Sequence, residues 1–353
     1  MAARTPMAVK KSKSAAKKAP AVRAPATGKG VASLAPGPVR PARTRPPRAK
    51  KTVVILSRKR ALYSTRRLVE AIKARGHRPL VLDTLRCSMI LARGQPRMLY
   101  RGVEIRGVDV VIPRIGASIT AYGLAVVNHF DMMGVPVVNN SVPIARSRDK
   151  LRCLQLLSRF DIDIPRTVMA HDRSNVTRLV EEVGGLPVII KLIRGTQGVG
   201  VMIASTLPEV QTIVDTFWDL GQEIVLQEFV AESRGRDIRA LVVGDRVVGA
   251  MRRQAKQGEF RSNIHRGGEG TLVKLPDDYV QTAIKAAHII GLEIAGVDML
   301  EGHQGPKLME INSSPGFEGL EAATGEDIAG AMVDHALAFA GAQAAGWSKR
   351  RII

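Results

Sequence analysis

The residues best suited to chemistry lie in two short apolar segments near the C-terminal end, at 296–300 and 308–312. A hairpin centred on Gln304 would place Asp298 directly opposite Glu310, where two carboxylates about 5 Å apart repel each other. Because side chains alternate along a strand, Asn312 shares a face with Glu310. Three oxygen-bearing side chains at one spot favour a hard cation such as Mg²⁺. Solvated carboxylates on an exposed sheet face are the alternative interpretation.

A lysine near the end of another apolar strand is the second candidate. The run 187–192 is apolar except for Lys191, and a buried ammonium needs an anionic partner such as a polyphosphate. Glycines at 195, 198 and 200 allow a hairpin tip whose amides could cover phosphate oxygens. The segment matches neither the Walker A pattern nor the dinucleotide-binding glycine pattern. A lysine that snorkels from the strand end is the alternative.

Three further segments carry polar groups in suggestive positions. Residues 261–268 contain two arginines, an asparagine and a histidine beside two glycines, which suits either charge stabilisation on a transferring phosphoryl group or a solvated basic loop. Residues 227–230 follow an apolar strand and could offer backbone hydrogen bonds to a purine. Arg114, in a turn after a predicted strand, could hold a substrate carboxylate or be a surface arginine without a role.

The order of predicted elements indicates two regions of different fold class. In residues 51–142, apolar strands alternate with helices, which predicts a small doubly wound α/β domain. Its strands are predicted at 52–56, 79–82, 108–113 and 135–138. Residues 143–340 mix helices at 146–160 and 277–290 with many short strands, which predicts an α+β region. These strands are predicted at 187–192, 200–204, 224–229, 237–243 and 246–251.

The charge of the chain is concentrated at its N-terminal end. Residues 1–51 contain 14 of the 53 Lys and Arg residues and none of the 32 acidic ones, within a formal net charge of +21. Such a segment, poor in large apolar residues, is predicted to be disordered over residues 1–50. It could bind nucleic acid through counterion release, serve as a dispensable linker, or be an organellar transit peptide.

The composition also limits the compartment. Only Cys87 and Cys153 are present, too few for a disulfide framework, which favours a reducing cytoplasm. No apolar run reaches the roughly 18 residues that cross a bilayer, so we expect a cytoplasmic protein without membrane contact.

Taken in order, these motifs resemble the RimK family of the ATP-grasp superfamily of carboxylate-amine ligases, from about residue 52 to 340. The resemblance is carried by Leu-Tyr-Ser at 62–64, Pro-Arg-Ile-Gly at 113–116, Arg-Asp-Lys at 148–150, Phe-Arg-Ser-Asn-Ile-His-Arg-Gly-Gly at 260–268 and Met-Glu-Ile-Asn at 309–312. It implies a pre-ATP-grasp domain at 51–142 and a two-lobed ATP-grasp domain at 143–340. A basic tail would precede them at 1–50, and a short basic tail would follow at 341–353.

The resemblance also implies roles for individual residues. Lys150 and Lys191 would contact the phosphates of ATP, the backbone of Glu228 and Phe229 would hold adenine, and Asp237 would face the ribose. The phosphate site would include Arg261, as the catalytic residue, together with Ser262 and Asn263. Two Mg²⁺ or Mn²⁺ ions would be held by Asp298, Glu310 and Asn312, with Glu310 bridging.

The implied reaction is ligation of L-glutamate to the C-terminus of a ribosomal protein through an acylphosphate. Two alternatives stay open: a glutamate ligase with a small-molecule or carrier-bound acceptor, and a nucleic-acid or ribosome-binding protein regulated by ATP. We also expect a homo-oligomer and contact between the basic tail and RNA or ribosomes.

Overall fold

The structure, a computed structural model, describes residues 49–169, 175–193, 200–233, 235–256 and 269–346, without the side chains of 345 and 346. Residues from Ala49 onward form one compact unit. Helices and strands below are numbered in chain order within these ranges.

The first region is built on a parallel sheet, as the strand-helix alternation predicts. Its six strands are β1 (Thr52–Leu56), β2 (Arg78–Leu82), β3 (Cys87–Ile90), β4 (Arg97–Tyr100), β5 (Val103–Glu104) and β6 (Val110–Pro113), and its helices are α1 (Tyr63–Ala74) and α2 (Thr120–Met132). The parallel sheet has the order β2-β1-β6. Strands β3, β4 and β5 form a small antiparallel sheet that the sequence analysis did not predict. The strand expected at 135–138 is reduced to a single bridge between Val111 and Val137.

Two antiparallel sheets form the second region. The smaller, in the order β7-β10-β8-β9, contains β7 (Thr167–Val168), β8 (Val188–Leu192), β9 (Val201–Ala204) and β10 (Ile224–Glu228). The larger, in the order β13-β12-β11-β14-β15, contains β11 (Arg236–Val243), β12 (Arg246–Gln254), β13 (Glu269–Leu272), β14 (Ile294–Gly302) and β15 (Gly305–Asn312). The described helices are α3 (Ser141–Arg148), α4 (Lys150–Arg159), α5 (Val176–Glu182), α6 (Leu207–Asp219), α7 (Asp277–Ile290), α8 (Glu318–Thr324) and α9 (Ile328–Gly346). A doubly wound region followed by a two-lobed α+β region is therefore confirmed.

The single helix predicted at 146–160 is two helices. Asp149 has extended backbone angles (φ −83°, ψ 96°) and its side chain accepts a hydrogen bond from the Arg152 amide at 3.0 Å. An N-cap in this conformation ends α3 and begins α4, because its carboxylate satisfies an amide at the start of the new helix. Lys150 is thereby placed in the first turn of α4.

The two regions share a hydrophobic core. Val53 and Ile55 of β1 and Leu68 of α1 belong to the same buried cluster as Leu241 of β11 and Met332 of α9. Helix α9 continues to Gly346, past the boundary expected at 340, and its buried side supplies part of this core. Among the described helices, none is long and apolar enough to cross a membrane.

Candidate active site

The C-terminal hairpin places Asp298 opposite Glu310, as the sequence predicts. Strands β14 and β15 pair in an antiparallel register in which Asp298 faces Glu310 and Gly296 faces Asn312. The turn differs from the expectation, because Gly302 pairs with Gly305 and leaves a two-residue connection. A β-bulge between Asp298 and Met299 then shifts the register by one residue. On the side away from the turn, the two strands therefore pair as predicted.

Asp298 is enclosed by two arginines that the sequence analysis did not identify. Arg239 of β11 donates from Nε to Oδ1 at 2.7 Å and from Nη2 to Oδ2 at 2.6 Å. Arg253 of β12 approaches Oδ2 at 3.2 Å and makes a bidentate pair with Asp237, at 2.6 and 2.5 Å. The side chains of Arg253, Asp237 and Asp298 are each at most 2% exposed. Four alternating charges, three of them buried and that of Arg239 partly exposed, therefore lie across three neighbouring strands.

The two opposed carboxylates differ in their electrostatic environments. Burial disfavours the charged form of Asp298, but the charges and hydrogen bonds of Arg239 and Arg253 outweigh it and hold the pKa below its usual value. The pKa of Glu310 is raised, first by desolvation in the cleft and second by the charge of Asp298. Glu310 nevertheless keeps an exposed side chain. It is therefore the carboxylate at which further positive charge would be most stabilising.

This donor set fits a hard divalent cation whose main protein ligand is Glu310. Both oxygens of Asp298 already accept hydrogen bonds from arginine, which leaves Glu310 and Asn312 as the more available oxygen donors. In the described part of the chain no three His, Cys, Asp or Glu side chains converge on one point. Mg²⁺, which usually keeps several waters and binds through one or two carboxylates plus substrate phosphates, suits such a set.

Lysines and hydrogen-bonding groups line the cleft between the two sheets. Lys191 Nζ donates to Gln227 Oε1 at 2.5 Å, and Gln227 Nε2 donates to Thr167 Oγ1 at 2.7 Å. The cleft is bordered by Lys150, Lys191, Gln227, Glu228, Phe229, Asp237, Glu310 and apolar side chains from α4, β8, β10 and β15. Burial lowers the pKa of Lys191 to about 8, an effect opposed by the charge of Glu310 and reinforced by that of Lys150. The cleft thus joins an apolar wall to a cationic end.

The lowered pKa gives a testable pH dependence. Lys191 carries its charge in the free enzyme below a pH of about 8 and loses it above, so kcat/KM for ATP should fall towards a tenfold loss per pH unit on the alkaline side. Lys191→Met should raise the KM for ATP and remove this limb, while Lys191→Arg should move it to higher pH because guanidinium stays charged. A Lys191→Met protein with normal ATP kinetics but a lower melting temperature would make the lysine structural.

The other residues predicted for the site differ in whether the structure describes them and in whether their polar groups are already bound within the protein. The Glu228 amide donates to the Arg166 carbonyl at 2.8 Å, so this amide is already used within the protein. The Glu228 carboxylate accepts a hydrogen bond from the Arg166 amide at 2.9 Å and lies 3.4 Å from Lys307 Nζ. Asp237 borders the cleft but both its oxygens bind Arg253. Arg261, Ser262, Asn263 and the glycines at 195 and 198 lie outside the described residues.

The sequence contains a pattern that points to the charged partners of Asp298. Asp237 and Arg239 stand two residues apart in an apolar strand, so both side chains point to one sheet face. Buried charges require partners, and this pattern predicts that neighbouring strands supply them. The partner strands could not be read from the pattern.

Comparisons with known proteins agree with this architecture. The model of the RimK PreATP-grasp domain matches residues 52–144, and that of the RimK-like ATP-grasp domain matches residues 147–336. A protein of Ectopseudomonas mendocina named probable alpha-L-glutamate ligase is 51% identical over 283 residues, covering 80% of this chain and 94% of the relative. A protein of the same name from Pseudomonas aeruginosa is 52% identical with the same coverage.

Solved structures share the fold at lower identity. The ATP-grasp ligase PsnB, in complex with a precursor variant, Mg and ADP, aligns with a TM-score of 0.65 at 23% identity over 82% of this chain and 98% of PsnB. A RimK domain ATP-grasp protein of Sphaerobacter thermophilus aligns with a TM-score of 0.61 at 22% identity, over 81% of this chain and 99% of that protein.

Proposed function

Because the chain belongs to the RimK family of ATP-grasp ligases and is an ATP-dependent ligase, we propose that it joins L-glutamate to the carboxyl terminus of an acceptor protein. The observation that carries this proposal is about 52% identity, over 80% of the chain, to proteins named probable alpha-L-glutamate ligases. The charged cleft between the two sheets of the second region fits an enzyme that binds ATP there.

The proposed reaction has two steps. A carboxylate oxygen of the acceptor attacks the γ-phosphorus of ATP, the bond between that phosphorus and its bridging oxygen breaks, and ADP leaves. The amino nitrogen of glutamate then attacks the acyl carbon, phosphate leaves, and the nitrogen gives up a proton. Neither step requires a nucleophilic side chain, so the protein contributes position and electrostatic stabilisation.

The cleft residues supply these contributions. Lys150 and Lys191 would neutralise phosphate oxygens from the cationic end of the cleft, and Arg261 with Ser262 and Asn263 would add to the phosphate site. Glu310 and Asn312, with Asp298 beside them, would hold Mg²⁺ or Mn²⁺, and the cation would spread the charge of the transferring phosphoryl group. Phe229 and the Glu228 carbonyl would contact adenine. Arg239 and Arg253 fix the orientation of Asp298.

The acceptor assignment rests on the resemblance to RimK, and a ribosomal protein is the acceptor we propose. Three reactions separate this ligase from a ligase with a small-molecule or carrier-bound acceptor and from an ATP-regulated binding protein. They contain ribosomal proteins, small amino acids or no acceptor. We expect ADP release over many turnovers only when both glutamate and a protein or peptide C-terminus are present. ADP release that requires neither would contradict the proposal. Homo-oligomerisation stays a prediction that light scattering can test.

The basic N-terminal segment gives a separate prediction. Deleting residues 1–48 removes twelve Lys and Arg residues and no acid, while every proposed site residue lies in the unit from Ala49 onward. Ligation on a short peptide should be preserved within about twofold. Association with ribosomes or RNA should weaken, more at low salt than at high salt, because ions screen the lost attraction. Filter binding across a salt series measures this; RNA affinity that is equal in both proteins would make the segment a passive linker.

A further inference from the structure

Two arginines near the cleft have no carboxylate partner among the described residues. Arg114 follows β6 and donates from Nη2 to the Pro315 carbonyl at 2.6 Å. Arg148 ends α3 and donates from Nη2 to the Ile115 carbonyl at 2.5 Å. These are neutral acceptors. By contrast Arg253, which is 2% exposed, has two carboxylate neighbours.

The two guanidiniums also act on each other. Burial lowers the pKa of Arg114 to about 10, and the charge of Arg148 lowers it further. Burial likewise lowers the pKa of Arg148, and the charge of Glu310 opposes that effect. Both side chains are partly buried, and two like charges held together away from water are costly unless an anion joins them. The arrangement is therefore electrostatically incomplete without a negatively charged group.

The Arg114 side chain is held in place by a chain of contacts. Its guanidinium carbon lies 5.7 Å from the centre of the Phe317 ring, and the Tyr63 ring packs edge-on against Phe317 at 6.0 Å. The Tyr63 hydroxyl donates to Glu321 at 2.6 Å, as does Arg67 Nε at 2.9 Å. A long side chain fixed by aromatic packing keeps its charge in one place, which suits recognition of a substrate.

Unpaired polar atoms lie in the same neighbourhood. Arg114 Nε is buried without a hydrogen-bond partner in the described structure, as are the hydroxyls of Ser313 and Ser314. Both serines belong to the loop whose Pro315 carbonyl binds Arg114. Buried polar atoms usually have partners, so each of these three points to a group that binds there.

The location is next to the proposed reaction centre. Arg148 is two residues before Lys150, and Ser313 directly follows Asn312. Arg148 is close enough to Glu310 for that charge to affect its pKa. An anion at the two arginines would therefore lie beside the phosphate and cation site, on the side of the first region.

We infer that Arg114 and Arg148 form a subsite that binds a carboxylate of the incoming L-glutamate. A guanidinium pair stabilises a carboxylate and reduces its nucleophilicity, so it suits the carboxylates of glutamate, which do not react, better than that of the acceptor, which must attack phosphorus. Guanidinium forks also match carboxylate geometry. This inference rests on the proposed function, because it takes glutamate as the amine substrate.

Steady-state kinetics of full-length Arg148→Met test the inference. With ATP and peptide saturating, KM for glutamate should rise by about 100-fold, a size typical of truncating one partner of a buried charge pair, with a smaller change in kcat. KM for the peptide should change less than threefold. Arg106→Met is the matched control, because Arg106 is 79% exposed and, in the described part of the chain, pairs only with Glu104 at the surface of the first region.

Substrates with one blocked carboxylate make the test specific. Glutamine lacks the side-chain carboxylate of glutamate, and isoglutamine lacks the α-carboxylate. Wild-type enzyme should prefer glutamate strongly over at least one of them, and Arg148→Met and Arg114→Lys should bring that preference towards unity. A structural role would lower kcat for all three substrates and leave the preference unchanged.

The outcomes separate this inference from the proposed function. If ADP release by the wild-type enzyme did not depend on glutamate, the proposed function itself would be wrong. Glutamate-dependent release with an unchanged glutamate KM in both arginine variants would overturn only the subsite. A rise confined to the peptide KM would also overturn it, because the arginines would then bind the acceptor carboxylate.

Discussion

Replacing Glu310 with alanine should abolish ligation and leave the protein at least as stable as the wild type. The loss should reach about 1,000-fold or more, because the proposed cation site would lose its most available carboxylate and with it several kcal/mol of charge stabilisation. Stability should not fall, because the pKa of Glu310 is raised by desolvation and by Asp298, so its charge is held unfavourably in the free protein. Single-turnover assays and thermal unfolding measure the two effects.

Glu326→Ala is the matched control for this variant. Glu326 lies between α8 and α9 in an exposed position and its loss changes the net charge by the same amount. It should keep wild-type turnover. Asn312→Ala should lie between the two, since a neutral ligand contributes less charge. Normal turnover of Glu310→Ala at saturating Mg²⁺ would remove the cation assignment.

Replacing Arg253 with methionine should destabilise the fold strongly. Arg253 is 2% exposed and is bound to two carboxylates that are themselves enclosed, at Asp237 and Asp298. Removing one partner of a buried ion pair leaves an uncompensated charge and typically costs about 3–5 kcal/mol of unfolding free energy. Urea unfolding should show this loss at neutral pH. It should become smaller at acidic pH, where the stranded carboxylates take up protons.

The double variant Arg253→Met with Asp237→Leu identifies the cause. Removing both charges leaves Asp298 paired with Arg239, so much of the lost stability should return. Arg106→Met, at an exposed ion pair, should leave the urea midpoint close to that of the wild type. Additive losses in the double variant would mean that the network is not coupled as described.

The hairpin shows what the sequence can and cannot predict. Side-chain alternation along the two segments correctly predicted that Asp298 pairs with Glu310. The turn, however, is centred between His303 and Gln304, half a residue before the predicted centre at Gln304. The two-residue turn shifts the strand pairing by one residue relative to the prediction, and the bulge after Asp298 restores the predicted pairing. Since a bulge depends on local twist and side-chain packing rather than on apolar period, it could not be placed from the sequence.

The ion network and the arginine subsite were harder to predict for a different reason. Arg239, Arg253 and Asp298 meet only because β11 lies between β12 and β14, and strand order is a property of the whole sheet. Arg114 was a candidate because of its turn, whereas Arg148 was part of the Arg-Asp-Lys motif without a role of its own. Its position follows from the end of α3 at this residue, where it donates to the Ile115 carbonyl. The boundary between α3 and α4 follows from the Asp149 cap, which apolar periodicity does not register.

Transfer of labelled oxygen tests the central claim most directly. An acceptor peptide with heavy oxygen at both positions of its C-terminal carboxylate, incubated with ATP, glutamate and the full-length enzyme, should release one phosphate carrying one heavy oxygen for each peptide that gains its first glutamate. Phosphate from any later addition carries no label, because the attacking carboxylate then belongs to an added glutamate. The peptide should gain one or more glutamyl residues, and ADP should form in equal amount to the new bonds. This result follows if the carboxylate attacks the γ-phosphorus and the amine then displaces phosphate. Ligation without any labelled phosphate, or ADP that forms without glutamate and peptide, would contradict the account.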